Sequence, residues 1–383
     1  MEGRALNADL IYYMFDAANM SRWNDHLRTL DLTELDKQAH KAVIAWVIGK
    51  SEEDAGRPVV WDRVIEHTLF SFLQRIALTD LKPQVFHKIA KEKKDEVNRY
   101  VLDFFDANVP SVQEAFRTRF EDYLTSEKDS HEDAIIRAAH YLATKWEFDT
   151  IYDVNRSVYG IESTKKEIDD QIGSHRDLAG VSEIGDPRSD LSKFVNILGQ
   201  LRFQQRWSRT PRVPKTTVLG HSLMVANMVY LNDLDRGVTG PEVYYDYYSG
   251  LFHDLPEVLT KDVITPVKVS VSGLPALLED IEKDMVKETI MPLIPEPWAQ
   301  ELGFFAYCPF EDSENPPRFG RQIKACDILG AWLEAHVSIV YGISSKTLRS
   351  GRDGAVRRFI DDTEFEKSIG ALRIIDDISK KEI

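Results

Sequence analysis

Apolar residues recur three and four positions apart along most of this chain, the spacing that lines one face of a helix. In residues 1–150 the pattern is clearest over Lys41–Ile48, Arg63–Leu78 and Asp133–Trp146, with Ala, Leu, Glu, Lys and Arg filling the intervening positions. Good helix formers in a helical period predict a predominantly helical unit. No strict alternation runs long enough to predict a sheet. Residues 151–190 depart from the pattern: Lys165–Asp170 is a charged run, and Gly173–Asp190 is rich in Gly, Ser, Asp and Pro. That composition predicts a linker or surface excursion holding a domain boundary. The helical period resumes at Leu191 and continues to about Ser345, broken by the run Cys308–Gly320, whose three prolines predict a loop. The remainder, 346–383, opens on the turn-like Ser350–Gly354 and reads as a peripheral helix with a frayed end. The expected fold is all-α, with units at 1–150 and 191–345.

Polar residues inside these apolar faces are costly unless something satisfies them. Three places stand out. His221 lies within Leu219–Ala226, the adjacent pair His253-Asp254 follows Leu251-Phe252, and Asp327 lies within Ile323–Trp332. Imidazole nitrogens and carboxylate oxygens are the ligands a divalent transition metal accepts, and one ion shared by His221, His253, Asp254 and Asp327 would satisfy all four. Glu257, one helical turn beyond His253, is placed to lean over such an ion without ligating it. Asp262, Thr265 and Lys268 follow in a Pro-broken run that reads as a loop. His336 reads as structural.

Charge and cysteine content narrow the partners. A net charge of −15 in 383 residues argues against sequence-independent binding of long nucleic acid, yet leaves room for a small phosphorylated substrate met by local cations. Two cysteines, Cys308 and Cys326, lack metal-pair spacing and are too few for a disulfide framework, which suggests a reducing compartment. With no signal-like N-terminus and no apolar run of spanning length, the expectation is a cytoplasmic protein without a membrane partner.

The two halves also resemble one another in order. Arg22-Trp23 parallels Arg206-Trp207, Ala39-His40-Lys41 parallels Gly220-His221-Ser222, Leu69–Leu73 parallels Leu251–Leu255, and Ala138–Leu142 parallels Ala325–Leu329. Such self-similarity points to a duplication. In the first copy Ser71 and Phe72 stand for His253 and Asp254, Arg75 for Glu257, and His140 for Asp327. Only His40 and His140 remain of the ligand set, so this half is expected to hold no metal.

The string His253-Asp254-x-x-Glu257-Val258-Leu259-Thr260-x-Asp262 with Thr265-Pro266-Val267-Lys268, preceded by His221-Ser222 and by Arg206-Trp207, resembles the HD-domain superfamily of metal-dependent phosphohydrolases. Within it the likeness is to the 5′-deoxynucleotidase (YfbR-like) branch, over roughly residues 191–345. The resemblance implies two tandem HD-like helical domains, the first degenerate. It implies one divalent ion (Mn, Co, Fe, Ni or Zn) on His221, His253, Asp254 and Asp327, with Glu257 as general acid/base. It further implies that Arg206 pairs with phosphate, that Asp262 holds the sugar hydroxyl, and that Trp207 crowds the 2′ position. The activity implied is release of phosphate from (deoxy)nucleoside 5′-monophosphates. Alternatives on the same site are a triphosphohydrolase or a phosphodiesterase, and a rival of another class is a non-catalytic nucleotide-binding regulator. A family in which single domains pair suggests that the two halves form an intramolecular pseudo-dimer. One departure is Gly220, where the family usually has Glu before the first metal His.

Overall fold

The computed structural model describes residues 3–78, 92–261 and 273–381. The first half holds α1 (Ala8–Phe15), α2 (Glu34–Asp54), α3 (Trp61–Leu78), α4 (Lys94–Asn108), α5 (Glu114–Thr125) and α6 (His131–Tyr152). There follow α7 (Ile161–Gly173), α8 (Val181–Ile184) and α9 (Asp190–Gly199). The second half holds α10 (Val218–Arg236), α11 (Pro241–Phe252), α12 (Glu257–Thr260), α13 (Leu274–Thr289) and α14 (Glu296–Tyr307). A minimal antiparallel pair, β1 (Ser313–Glu314) and β2 (Pro317–Arg318), leads into α15 (Gly320–Val340), and α16 (Lys346–Asp361), α17 (Thr363–Lys367) and α18 (Ala371–Ser379) complete the chain. The all-α expectation holds; among the described residues the proline-rich run before α15 carries the one small hairpin.

Two helices organise the molecule. Thr33 caps α2, its side chain accepting from the backbone N–H of Asp36, and Thr217 caps α10 by accepting from Gly220. Such caps satisfy N–H groups that the first helical turn leaves without partners. At its other end α10 stops on Gly237, whose φ of 70° is the left-handed conformation that glycine adopts most easily. Both helices are buried nearly all round and pack against each other. Around this pair α6 lies on α2, while α11 and α15 lie on α10.

The halves share one hydrophobic core. Trp46 of α2, wholly buried, enters the second half's aromatic cluster. Its ring centroid lies 5.4 Å from that of Phe252 and 6.0 Å from that of Trp298, and its N–H donates to the Tyr244 hydroxyl at 3.0 Å. Polar ties cross as well: Thr217 Oγ1 donates to Asp36 at 2.6 Å, and Arg202 to Glu147 at 3.0 Å.

The stretch 151–190 is folded rather than extended. Ile161, Ile168, Ile172, Leu178, Val181 and Ile184 are buried, and the backbone N–H of Ala179 donates to Glu52 of α2. The C-terminal stretch is likewise three packed helices. Ile374 and Ile378 are buried, and α18 rests on α1.

Candidate metal centre

Three elements deliver the site. His221 is the fourth residue past the cap of α10, His253 stands directly after α11 with Asp254 beside it, and Asp327 lies on α15. His221, His253 and Asp327 each offer a ligand atom, and the three atoms lie within 4.8 Å of one another. His221 Nε2 is 3.0 Å from Asp327 Oδ1, and Lys324 lies 2.7 Å from the other Asp327 oxygen. The approach of α10 to α15 depends on Gly330, since a Cβ there would lie 3.0 Å from the His221 ring. Asp254 stands outside that tight trio, with Oδ2 3.2 Å from His253 Nε2 and 3.5 Å from Arg206.

The donor set fits a divalent ion. His253 Nδ1 lies 2.8 Å from the carbonyl of Gly250, which can only accept, so the proton belongs on Nδ1. That leaves Nε2 with its lone pair, buried, 3.2 Å from Asp254 Oδ2 and grouped with the ligand atoms of His221 and Asp327. Imidazole nitrogens and carboxylate oxygens crowded together in a buried place are what a shared divalent cation satisfies. Holding the distal nitrogen by a carbonyl is also how proteins orient metal-binding imidazoles.

The charges around the trio are fixed by their neighbours. Burial would push the Asp327 carboxyl up, but Lys324 and His221 hold it well below the usual carboxylate range. Burial acts the same way on Asp254, where His253 overrides it and keeps the group ionised. The His253 imidazole would be pushed down by burial, yet the Asp254 carboxylate raises it above the ordinary histidine value, and a cation on Nε2 would displace that proton.

Glu334 is the residue that sequence reading missed. It is buried on α15, two helical turns beyond Asp327 and on the same face. It accepts from Arg206 at 3.2 Å, from the indole N–H of Trp207 at 2.9 Å and from Thr216. Burial raises its carboxyl, but Arg206, Arg212 and His221 outweigh that and hold it at about 2. An isolated Glu within Trp332–Val340, an apolar run, was the available signal, since such a charge needs a partner. Arg206 is thereby held between Glu334 and Asp254. Burial would weaken its charge, while Glu334, Asp254, Asp327 and Glu257 together strengthen it. Trp207 takes a left-handed backbone (φ 57°), which costs a non-glycine residue on the order of 1 kcal/mol or more, with its ring over Gly351. Glu257 opens α12, within electrostatic reach of Arg206, and its carbonyl accepts from Gln204 at 2.6 Å. Asp262, Thr265 and Lys268 lie outside the described residues. His336 stacks on Trp332 at 4.6 Å.

The first half repeats this framework. Trp23 also has a left-handed backbone (φ 54°), and its indole donates to a buried glutamate, Glu147, at 3.0 Å. Arg22 donates to the same carboxylate at 2.8 Å. The bridge Ser21–Thr33 has its counterpart in Gln205–Thr217, each tying the Arg-Trp loop to the start of its helix. Counted from the two caps, the residue opposite His221 is Lys37, not His40. Lys37 bonds His140 just as His221 bonds Asp327. His40 faces elsewhere, with Nε2 3.0 Å from the Val195 carbonyl and its ring against Trp146. The same pairing explains Gly220. Its counterpart Asp36 lies against it, and a Cβ at Gly220 would come within 2.7 Å of Asp36 Oδ1. A glutamate there would collide with the first half.

Part of the chain is similar to known proteins. Residues 193–343 match the family model described as 5′-deoxynucleotidase YfbR-like. A 5′-deoxynucleotidase of Pasteurella multocida is 25% identical over 161 residues, 40% of this chain and 77% of its own. One from Photobacterium profundum is 30% identical over 129 residues, 32% of this chain and 61% of its own, and one from Shewanella oneidensis is 26% identical over 148 residues, 38% and 73%. The crystal structure of an HD-domain phosphohydrolase from Listeria innocua aligns with a TM-score of 0.44 at 19% identity, covering 50% of this chain and 90% of that one. Residues 193–343 are thus similar to the YfbR-like 5′-deoxynucleotidases.

Proposed function

We propose that the chain is a metal-dependent phosphohydrolase releasing phosphate from deoxynucleoside 5′-monophosphates, with His221, His253, Asp254 and Asp327 holding one divalent ion. The observation that carries this reading is the buried group of His221, His253 and Asp327, whose ligand atoms lie within 4.8 Å of one another, with Asp254 beside His253 Nε2. The likeness of residues 193–343 to 5′-deoxynucleotidases supports the substrate class. A divalent ion bound there supplies Lewis acidity, lowering the pKa of water and offsetting charge on a phosphoryl group. The chain's own groups do the rest. Arg206, kept charged and oriented by Glu334, pairs with phosphate oxygens through its planar fork. Glu257, on the Arg206 side of the site, moves the proton between attacking water and leaving oxygen. Glu334 acts through Arg206 and Trp207 and is a positioning residue. Trp207, fixed at both its N–H and its ring, is a rigid wall suited to excluding a 2′-hydroxyl, and Asp262 is assigned the sugar. The first half is a degenerate HD-like copy that serves as an internal partner, a reading supported by the Trp46 contact and the matched Arg-Trp-Glu frameworks.

The test is a screen of nucleotides with a panel of divalent metals, read by the product released. Orthophosphate from dAMP, at a rate well above that from AMP, is expected. Pyrophosphate or triphosphate as the product would favour the triphosphohydrolase, and equal rates on dAMP and AMP would remove the role given to Trp207. Stoichiometric nucleotide binding without turnover under every metal would favour a regulator. Glu257→Ala should retain the metal by elemental analysis yet lower turnover by roughly 100-fold or more; near-normal turnover would reduce Glu257 to a structural role.

A further inference from the structure

The first half's counterpart of the active site is not filled in. A cavity of about 320 Å³ lies there, lined by Asn19, Met20, Ser21, Arg22, Asn24, Glu34 and Arg75. Its size is at the lower end of what small-ligand pockets enclose, roughly 300–1,000 Å³. Two of the lining residues are guanidinium groups, and two are asparagines. Arg22 corresponds to Arg206, and Arg75 takes the place of Glu257.

The charge of this region is inverted relative to the second half. Around the candidate metal site Asp254, Asp327, Glu334 and Glu257 outnumber Arg206, Arg212 and Lys324, an excess that a divalent cation would offset. In the first half Arg22, Arg75, Lys37 and Lys41 gather around Glu34, and Arg22 shares Glu147 with Arg202. Asp36, the next carboxylate on α2, is turned to Thr217 instead. The Glu34 charge is offset by both guanidinium groups. Arg22 lies 2.7 Å from it and Arg75 3.5 Å. Burial would raise its carboxyl, but Arg22, Arg75 and Lys37 hold it at about 2. Burial pushes both Lys37 and Lys41 down, Lys41 to about 7, so the positive charge at the pocket is that of the two guanidinium groups. Two guanidinium groups that share one carboxylate at the wall of an open, polar cavity are an arrangement that an anion completes.

We infer that this pocket binds a nucleoside 5′-monophosphate without hydrolysing it, the phosphate meeting Arg22 and Arg75 and the nucleoside filling the space edged by Asn19 and Asn24. The choice of nucleotide rests on the proposed function of the second half; the choice of a phosphomonoester rests on the guanidinium pair. Hydrolysis is excluded by the residues themselves. Lys37 replaces His221, Ser71 and Phe72 replace the His-Asp pair, and Arg75 replaces the proton-transferring Glu257.

The experiment uses the full chain carrying His253→Ala and stripped of metal, so that turnover cannot deplete the ligand. It is titrated calorimetrically with dAMP and, separately, with inorganic phosphate. The expected result is a dAMP site that weakens tenfold or more on adding Arg75→Glu. Asn24→Tyr, a change at the exposed rim that breaks no ion pair, should weaken it similarly while unfolding at the same denaturant midpoint. Absence of dAMP binding, or an affinity indifferent to both substitutions, would overturn the inference. Phosphate binding as tightly as dAMP would overturn its nucleoside part. Hydrolysis of dAMP by the unmutated chain is a separate readout, so failure of the pocket and failure of the proposed function remain distinguishable.

Discussion

Replacing His253 with alanine should remove the metal and abolish turnover together. The imidazole has its proton fixed on Nδ1 by the Gly250 carbonyl, so its Nε2 serves only the site. Losing a group that merely supports a ligand typically lowers metal affinity or activity by about 10–100-fold, and loss of the ligand itself should exceed that. Removal also leaves Asp254 near Asp327 without the imidazole that holds it ionised. Asp327→Ala should behave alike, because Asp327 pairs with His221 across the same opening. Elemental analysis is the direct measurement. Full metal occupancy in either variant would end the ligand assignment.

Trp46→Ala should cost about 3–5 kcal/mol of stability, the usual scale for emptying a large aromatic site in a packed core. Its ring is wholly buried among Phe194, Tyr248, Phe252, Trp298 and Phe305, and its N–H bond to Tyr244 would be lost as well. Because Trp46 comes from the first half and its neighbours from the second, the damage should reach both. Denaturant unfolding followed by tryptophan fluorescence and by phosphate release should show one transition, shifted to lower denaturant by either readout. Two separate transitions, with activity surviving the first, would show that the halves fold independently and that the internal-partner reading is wrong.

The catalytic half was legible because its chemistry is contiguous. His253, Asp254 and Glu257 fall within one turn of chain, and His221 and Asp327 are conspicuous in apolar helices. Glu334 was not legible in the same way. Its meaning lies in a two-turn spacing from Asp327 and in partners, Arg206 and Trp207, that are distant in sequence. The pairing of the first half slipped by one turn of helix because it was anchored on a histidine, His40. Counting from the Thr33 and Thr217 caps instead sets Lys37 opposite His221, and a lysine bonded to His140 changes what the first half can bind. Residues 151–190 were misread from composition. Their Gly, Ser and Asp concealed Ile161, Ile168 and Ile172, spaced by seven and four, which is the pattern of one buried helical face. The departure at Gly220 found its cause only in three dimensions, where Asp36 occupies the space a side chain would need.

The most direct test of the account is to strip the unmutated chain with a chelator and restore divalent metal in steps while following phosphate released from dAMP. Turnover should vanish on stripping and return in proportion to metal bound, reaching its plateau at one ion per chain. Undiminished turnover by protein that elemental analysis finds free of metal would contradict it.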